Sequence, residues 1–468
     1  MAIIASASVV SVSEKFDYNR RYIFLVSTIT ALGGLLFGYD LANISGTIHF
    51  FTNYFALDEF HVGWAVGCIS VGAAAGAMIS GKLSDILGRR RILLLSAVLF
   101  AVTGIGTGWA ENFTLFIIFR ISSGVAIGCA TVVCPIYIAE ISPASLRGRL
   151  VAYYQLAITL GVLLAYFSNY LLLGTGVNNW RWMFSSQSAP AILFLTGLFF
   201  VPESPRWLLM KKREPEAKHV LQKIGGNDFA EREIAAIHLS FSNIIKENIS
   251  NLFGKNFLHV IITGIGIAIF SQIGGPFTAY APEIFKDAGV AQDSAFLQSV
   301  IIGVILFIFT LVAIATVEKA GRRYLLLYGA ALLLLDTLAL ALAFYFQLSG
   351  IWILVFALIF TAIYAATVGP VSWVLLAEIF PNRIRGNAMS IATLSLWIAN
   401  FLNTASFPIL KAKFGMPVTF GIYVPLFLIF LFFVYIRVPE TKGKSLEEIE
   451  KMLTKKDKTG DYSPGKEI

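Results

Sequence analysis

Charge is scarce in this chain: of 468 residues, 14% are Asp, Glu, Lys or Arg, and the mean hydropathy is +0.75. With 57% hydrophobic residues and 39 phenylalanines, that scarcity excludes an ordinary soluble domain and leaves a polytopic membrane protein, with the lipid bilayer as its solvent. Cysteine is nearly absent. Cys68, Cys129 and Cys134 are odd in number, lie inside apolar runs and lack metal-ligand spacing, so neither a disulfide framework nor a zinc site is supported. No Gly-rich phosphate loop ending in Gly-Lys-Ser/Thr is present, which disfavours ATP coupling. No acid pair, metal cluster or nucleophile with its base stands at the ends of spans, so an enzyme and a cofactor are not expected. The N-terminal apolar patch has no basic residue ahead of it, so a cleaved signal peptide is not expected either.

What is abundant is long apolar runs. Candidate spanning helices cover 22–48, 61–80, 92–109, 113–138, 151–173 and 182–201, then 257–280, 294–317, 325–346, 351–377, 389–409 and 418–436, about twelve in all. This is an all-α plan in two sets of six. It divides into a segment 1–21, a first bundle 22–202, a linker 203–256, a second bundle 257–438 and a tail 439–468. The linker, rich in Lys, Glu and Arg, reads as short amphipathic helices. After Ser445 the tail reads LEEIEKMLTKK, a short helix, before a polar end.

A net charge of +8 would suit a nucleic-acid partner in a soluble protein, but here the basic residues fall in short clusters between spans. Arg89-Arg90-Arg91, Arg147 with Arg149, Arg322-Arg323 and Arg383 with Arg385 all fall on one side, which the positive-inside rule makes cytoplasmic. Both termini and the linker then face the cytosol, and no nucleic acid is expected.

The two sets echo each other at an offset of about 235 residues, as parallel repeats do. GKLSDILGRR at 81–90 returns as Val317-Glu318-Lys-Ala-Gly321-Arg322-Arg323. Ala139-Glu140-Ile-Ser-Pro143 followed by Arg147-Gly148 returns at identical internal spacing as Ala377-Glu378-Ile-Phe-Pro381 followed by Arg385-Gly386, and Pro202-Glu203 returns as Pro439-Glu440. Gly permits a tight turn, and Arg can fork onto a carboxylate. Asp85, Arg89, Glu140, Arg147, Glu318, Arg322, Glu378 and Arg385 are therefore expected to form a gate that links the halves when the cytoplasmic side closes. The bland alternative is that these charges only fix topology.

One acid breaks the apolar pattern of the first span. Asp40 lies well inside it, where an ionised group must face a bundle interior or water, find a cation, or carry a proton. The alternative is an acid close enough to the outer end to reach water, with Asn43, Ser45 and Gly46 following it.

GKLSDILGRR, PESPRW, the doubled AEI-x-P-x-x-x-RG, GPVSWVLLAEIFP and PETKG together resemble the sugar porter family of the major facilitator superfamily, from about Tyr22 to Glu450. The resemblance implies two six-helix bundles, a central site at the bilayer midplane, and alternating access by rocking of the halves. It implies a monosaccharide or polyol as substrate, protons as the coupling ion, a bacterial inner membrane and a monomer. Asp40 in FGYD is similar to the proton-binding acid of the bacterial proton-coupled symporters, and Arg120 in FRISSG to its partner. Phe37 and Gln155 match an aromatic and a glutamine of the sugar pocket, Trp373 and Trp397 match its tryptophans, and Gln272 and Tyr280 carry over from the seventh span.

That seventh span departs from the family pattern. Ser271-Gln272-Ile-Gly274-Gly275-Pro276 loses a Gln, an Asn and a Tyr and gains a Gly-Gly-Pro break; Val162, Leu306 and Leu396 stand where polar residues are common. Three readings follow: an ordinary sugar bound through other groups such as Thr278, Asn400 and Asn403, a less hydroxylated substrate, or a porter with poor transport. Importing a monosaccharide by proton symport is the leading expectation. A uniporter of the same fold and a sugar receptor that moves nothing are the alternatives.

Overall fold

The computed structural model describes residues 18–242, 255–381 and 384–443, apart from the side chains at 144, 240–242, 255–256, 318, 385 and 386. The short helix expected in the tail lies outside the described residues.

In the N-terminal half, α1 spans Arg20–Asn43, followed by a 3-10 turn Ile44–Gly46 and α2, Ile48–Phe55. Then come α3 (Glu59–Leu87), α4 (Arg89–Gly108), α5 (Phe113–Ile141), α6 (Ala144–Leu172), α7 (Asn179–Ser186) and α8 (Ser188–Phe199). The linker supplies α9, Pro205–Met210, and α10, Glu214–Ser242, bent at Gly225-Gly226. Val220, Leu221, Ile224 and Phe229 are buried along α10 and its opposite face is charged, the amphipathic pattern expected there. The C-terminal half holds α11 (Lys255–Phe270), α12 (Gly275–Ala279), α13 (Ala281–Asp287), α14 (Gln292–Ala320), α15 (Arg322–Tyr345), α16 (Gly350–Ala366), α17 (Val368–Ile379) and α18 (Arg385–Arg437).

Among the described residues, ten helical stretches are long and apolar enough to cross a bilayer. One of them, Asn387–Arg437, contains two crossings separated by a kink at Gly415 (φ 75°), and α7 with α8 makes another, which brings the crossings to twelve. Proline explains two of the interruptions. Pro190 has no N–H to offer the Ser186 carbonyl, so the sixth crossing breaks at Gln187; Pro370 does the same to Ala366, and the tenth breaks at Thr367.

Several helices run farther at the basic end than hydropathy alone suggested, α3 continuing to Leu87 because the GKLSD stretch is helical up to Gly88. Gly88 (φ 104°) and Gly321 (φ 88°) take the left-handed backbone that ends α3 and α14, so both GRR motifs are the tight turns their glycines predict. Within the first half α1 packs on α6, and α3 and α4 pack on α5; within the second, α11 and α15 pack on α18, and α14 on α16. The halves meet along α3 with α18 and along α6 with α14.

Small residues set the closest approaches. A Cβ on Gly124 of α5 would lie 2.1 Å from the Ile69 carbonyl oxygen of α3, and one on Gly72 would lie 2.0 Å from the Ile121 oxygen. Gly124→Val is therefore expected to lower thermal stability by about 1–3 kcal/mol or more. Gly148→Ala, with no atom within 4 Å of the added carbon, is expected to cost nothing, and thermal unfolding of the purified variants compares the two.

Candidate functional site

Asp40 lies on α1 facing the bundle interior, 1% exposed, and Arg120 on α5 is equally buried. Arg120 Nη1 donates to Asp40 Oδ1 at 2.5 Å, Ser123 Oγ and Gln187 Nε2 donate to Oδ2, and the guanidinium lies 5.8 Å from the centre of the Phe184 ring. The acid is thus enclosed by protein, its oxygens held by Arg120, Ser123 and Gln187. Sequence reasoning found Asp40 and Arg120 but missed Ser123 and Gln187. Ser123 stands one turn after Arg120 on the same helical face, a signal that was available; Gln187 reaches the site from the sixth crossing, 147 residues away in sequence. Arg120 Nε and Nη2 are buried without a hydrogen-bond partner, so the pair is held but not saturated.

Arg120 also lines a central cavity of about 180 Å³ between the halves. Phe37, Gln155, Gln272, Trp373, Trp397 and Asn400 all line it, six of the seven residues expected to bind substrate. Trp397 is 1% exposed with its indole N–H unpartnered, its ring edge-on to Phe37 at 5.8 Å. Trp373 and Gln155 are half-buried, and the Gln155 amide makes no hydrogen bond with a described residue. Tyr280 departs from expectation. Its side chain turns from the cavity, donates to the Thr404 carbonyl at 2.8 Å and stacks on Phe407, because the Gly-Gly-Pro break redirects the chain before it is reached.

The seventh crossing unwinds between Phe270 and Gly275, and its loose carbonyls find side-chain donors. Tyr364 Oη donates to the Ser271 oxygen at 2.8 Å; Asn403 Nδ2 donates to Gln272 and Ile273 oxygens at 2.7 and 3.1 Å. Asn403 is consumed in that role and does not line the cavity, whereas Thr278 and Asn400 do. Val162, Leu306 and Leu396 all form cavity wall, so their apolar character falls where it matters to a ligand. Tyr166 and Tyr364, not anticipated, also line the cavity.

Among the described residues, two hydrogen bonds cross between the halves. Ser70 Oγ of α3 donates to Asn400 Oδ1 at 2.8 Å while Asn400 Nδ2 donates to Gln272 Oε1 at 3.0 Å; Tyr166 Oη donates to the Thr278 oxygen at 2.8 Å. Toward the end away from the basic clusters α3 and α18 touch, where a Cβ on Gly63 would lie 2.2 Å from the Ala405 oxygen.

At the basic end the repeated motifs build two matching clamps, each inside one half. Arg89 forks onto Glu140 (3.0 and 3.1 Å) and meets Asp85 at 2.9 Å; Arg322 reaches Glu378 at 3.0 Å. Ser204 donates to Glu140 and Thr441 to Glu378. Glu203 accepts the N–H groups of Arg89 and Arg90 at the start of α4, as Glu440 does for Arg322 and Arg323 at the start of α15, each acid placed at a helix's positive end. Burial pushes the Glu203 carboxyl up, against the opposing pull of its N–H bonds. Arg147 is exposed and donates to the Ala139 carbonyl at 3.0 Å. The side chains of Glu318 and Arg385 lie outside the described residues. The gate residues described therefore pair within halves, and none is seen bridging them.

Two bundles around a buried ion pair and a central cavity define a multi-pass membrane transporter of the major facilitator fold. The family model described as "Sugar (and other) transporter" matches residues 26–453. The chain is 39% identical to the D-xylose-proton symporter of Escherichia coli K12, over 93% of this chain and 96% of that one. It is 38% identical to the arabinose-proton symporter of Bacillus subtilis, over 94% and 97%. Among solved structures, the partially occluded inward-open form of the E. coli xylose transporter XylE superposes with a TM-score of 0.83 at 36% identity, covering 91% of this chain and all of that one. XylE bound to 6-bromo-6-deoxy-D-glucose gives 0.80 at 39% identity, over 93% and 100%. The chain belongs to the sugar transporter family of the major facilitator superfamily, and it is not an enzyme.

A net hydrogen bond contributes about 0.5–1.5 kcal/mol, so removing the Ser70 donor is expected to shift the balance of open forms by about 2- to 12-fold. Ser70→Ala combined with Gly148→Cys, whose thiol marks the basic end, reads that shift as a slower rate of thiol labelling.

Proposed function

We propose that this chain imports a monosaccharide, a pentose or hexose, by proton symport. The observation that carries the reading is that one residue joins the two: Arg120 bonds the buried Asp40 through its guanidinium and is itself among the residues lining the cavity. A proton placed on Asp40 removes the charge that holds Arg120, and freed Arg120 N–H groups can turn to the cavity. A ligand there is thereby linked to a proton on α1. Gln155, Thr278 and Asn400 offer amides and a hydroxyl to sugar hydroxyls, while Phe37, Trp373 and Trp397 offer ring faces to its C–H side. Relatives named as proton symporters of D-xylose and arabinose support both the coupling and the substrate class.

The basic end is cytoplasmic in this reading, by the positive-inside rule, and both termini face the cytosol. The contacts away from that end and the similarity to an inward-open relative support an inward-facing state. The two clamps each stiffen one half, and Arg147, exposed and bonded to a carbonyl, has charge left to meet the other half when the cytoplasmic side closes.

Asp40→Asn is expected to abolish uphill accumulation of sugar in proteoliposomes while sparing counterflow driven by sugar alone. Accumulation that survives the substitution would remove Asp40 from coupling, and counterflow without any accumulation in the unsubstituted protein would indicate a uniporter.

A further inference from the structure

The buried or partly buried acids already described are compensated: buried Asp40 and partly buried Glu140, Glu203, Glu378 and Glu440 are each held by an arginine or by backbone N–H groups. Asp336 is not. It lies in α15 within the Leu-rich stretch LLLLDTLALAL, roughly four turns or about 21 Å from Arg322 at the basic end. It is 7% exposed, its Oδ2 is buried without a hydrogen-bond partner, and no cation of a described residue lies within ion-pair distance. The adjacent Thr337 hydroxyl is also buried and unpartnered.

The helices packed against α15 are α14, α16, α17 and α18. Their charged residues stand at helix ends: Asp293 and Lys319 on α14, Glu378 on α17, and Lys411, Lys413 and Arg437 at the turns of α18, with the side chains of Glu318 and Arg385 undescribed. The described titratable groups in the buried middle are tyrosines, Tyr364 and Tyr423, and the Tyr364 hydroxyl is taken by the Ser271 carbonyl. An ionised carboxylate at this depth would have neither a counter-charge nor a donor. A neutral acid needs neither, and among the described residues no group of three or more His, Cys, Asp or Glu side chains is placed to hold a metal ion.

We propose that Asp336 is a second proton-binding site, in the C-terminal half, filled in the conformation described. The step is one proton added to the carboxylate to give the carboxylic acid, with no other bond made or broken. It is separate from the coupling acid, because Asp336 does not line the cavity and lies in the other half.

The infrared spectrum of the full-length protein in liposomes at neutral pH tests this. A carbonyl band of a protonated carboxylic acid is expected in the unsubstituted protein, retained in Asp40→Asn and lost in Asp336→Asn. A band that persists unchanged in Asp336→Asn overturns the site. Thermal unfolding gives a second arm. A proton held in the folded state and released on unfolding makes the unsubstituted protein less stable as pH rises, whereas Asp336→Asn, which imitates the neutral acid, loses that slope. Should Asp336→Asn fail to fold where the unsubstituted protein folds, or keep the slope, the proposal falls. Neither arm depends on sugar accumulation, so coupling through Asp40 can fail while Asp336 stands, or the reverse.

Discussion

A guanidinium and a carboxylate brought together where water is scarce constrain the rest of this molecule. Taking Asp40 and Arg120 out of water costs several kcal/mol apiece, and only close pairing with added donors offsets it. Ser123 lies one turn along α5 from Arg120, and Gln187 donates from the sixth crossing, between α7 and α8. Donors on Arg120 nevertheless stay unmatched. A fully saturated pair would be inert; one that is held yet incomplete leaves the arginine with somewhere else to go.

The same economy governs the broken crossings. Where α11 gives way to α12, and α16 to α17, backbone carbonyls lose their helical donors at a depth where lipid offers none. Tyr364 and Asn403 supply donors at the first break, and Thr367 bonds within its own helix at the second. Polar side chains near the cavity therefore divide between holding backbone and facing ligand. Asn403 belongs to the first group, Gln155 to the second, and Asn400 serves both by joining Ser70 across the halves to Gln272.

Much of this was legible in the linear pattern. Apolar length gave the crossings, and the differences arose at their ends and interior breaks: the sixth is interrupted near Pro190, the tenth at Thr367 and the seventh between Phe270 and Gly275, while Arg385–Arg437 runs through two crossings with a kink at Gly415. The doubled motifs foretold the doubled clamps, because equal spacing of Gly, Arg and Glu on two helical hairpins produces equal contacts: Arg89 with Glu140, Arg322 with Glu378, and Glu203 and Glu440 capping their helices. The direction of those contacts was not legible. Spacing says that an arginine can reach an acid, not which half the acid belongs to.

Composition and repetition by themselves determined a membrane-embedded duplicated bundle, its crossings and the candidate acid Asp40, and the resemblance to the sugar porter family added Arg120, Phe37, Gln155, Gln272, Trp373 and Trp397, since hydropathy and motif spacing are local properties of the chain. Tertiary structure alone decided that Tyr280 turns away from the cavity, that Ser70 and Tyr166 tie the halves together, and that Asp336 Oδ2 is buried without a partner among the described residues. Whether a polar group is satisfied depends on atoms from helices hundreds of residues apart in sequence, and no local pattern carries that information.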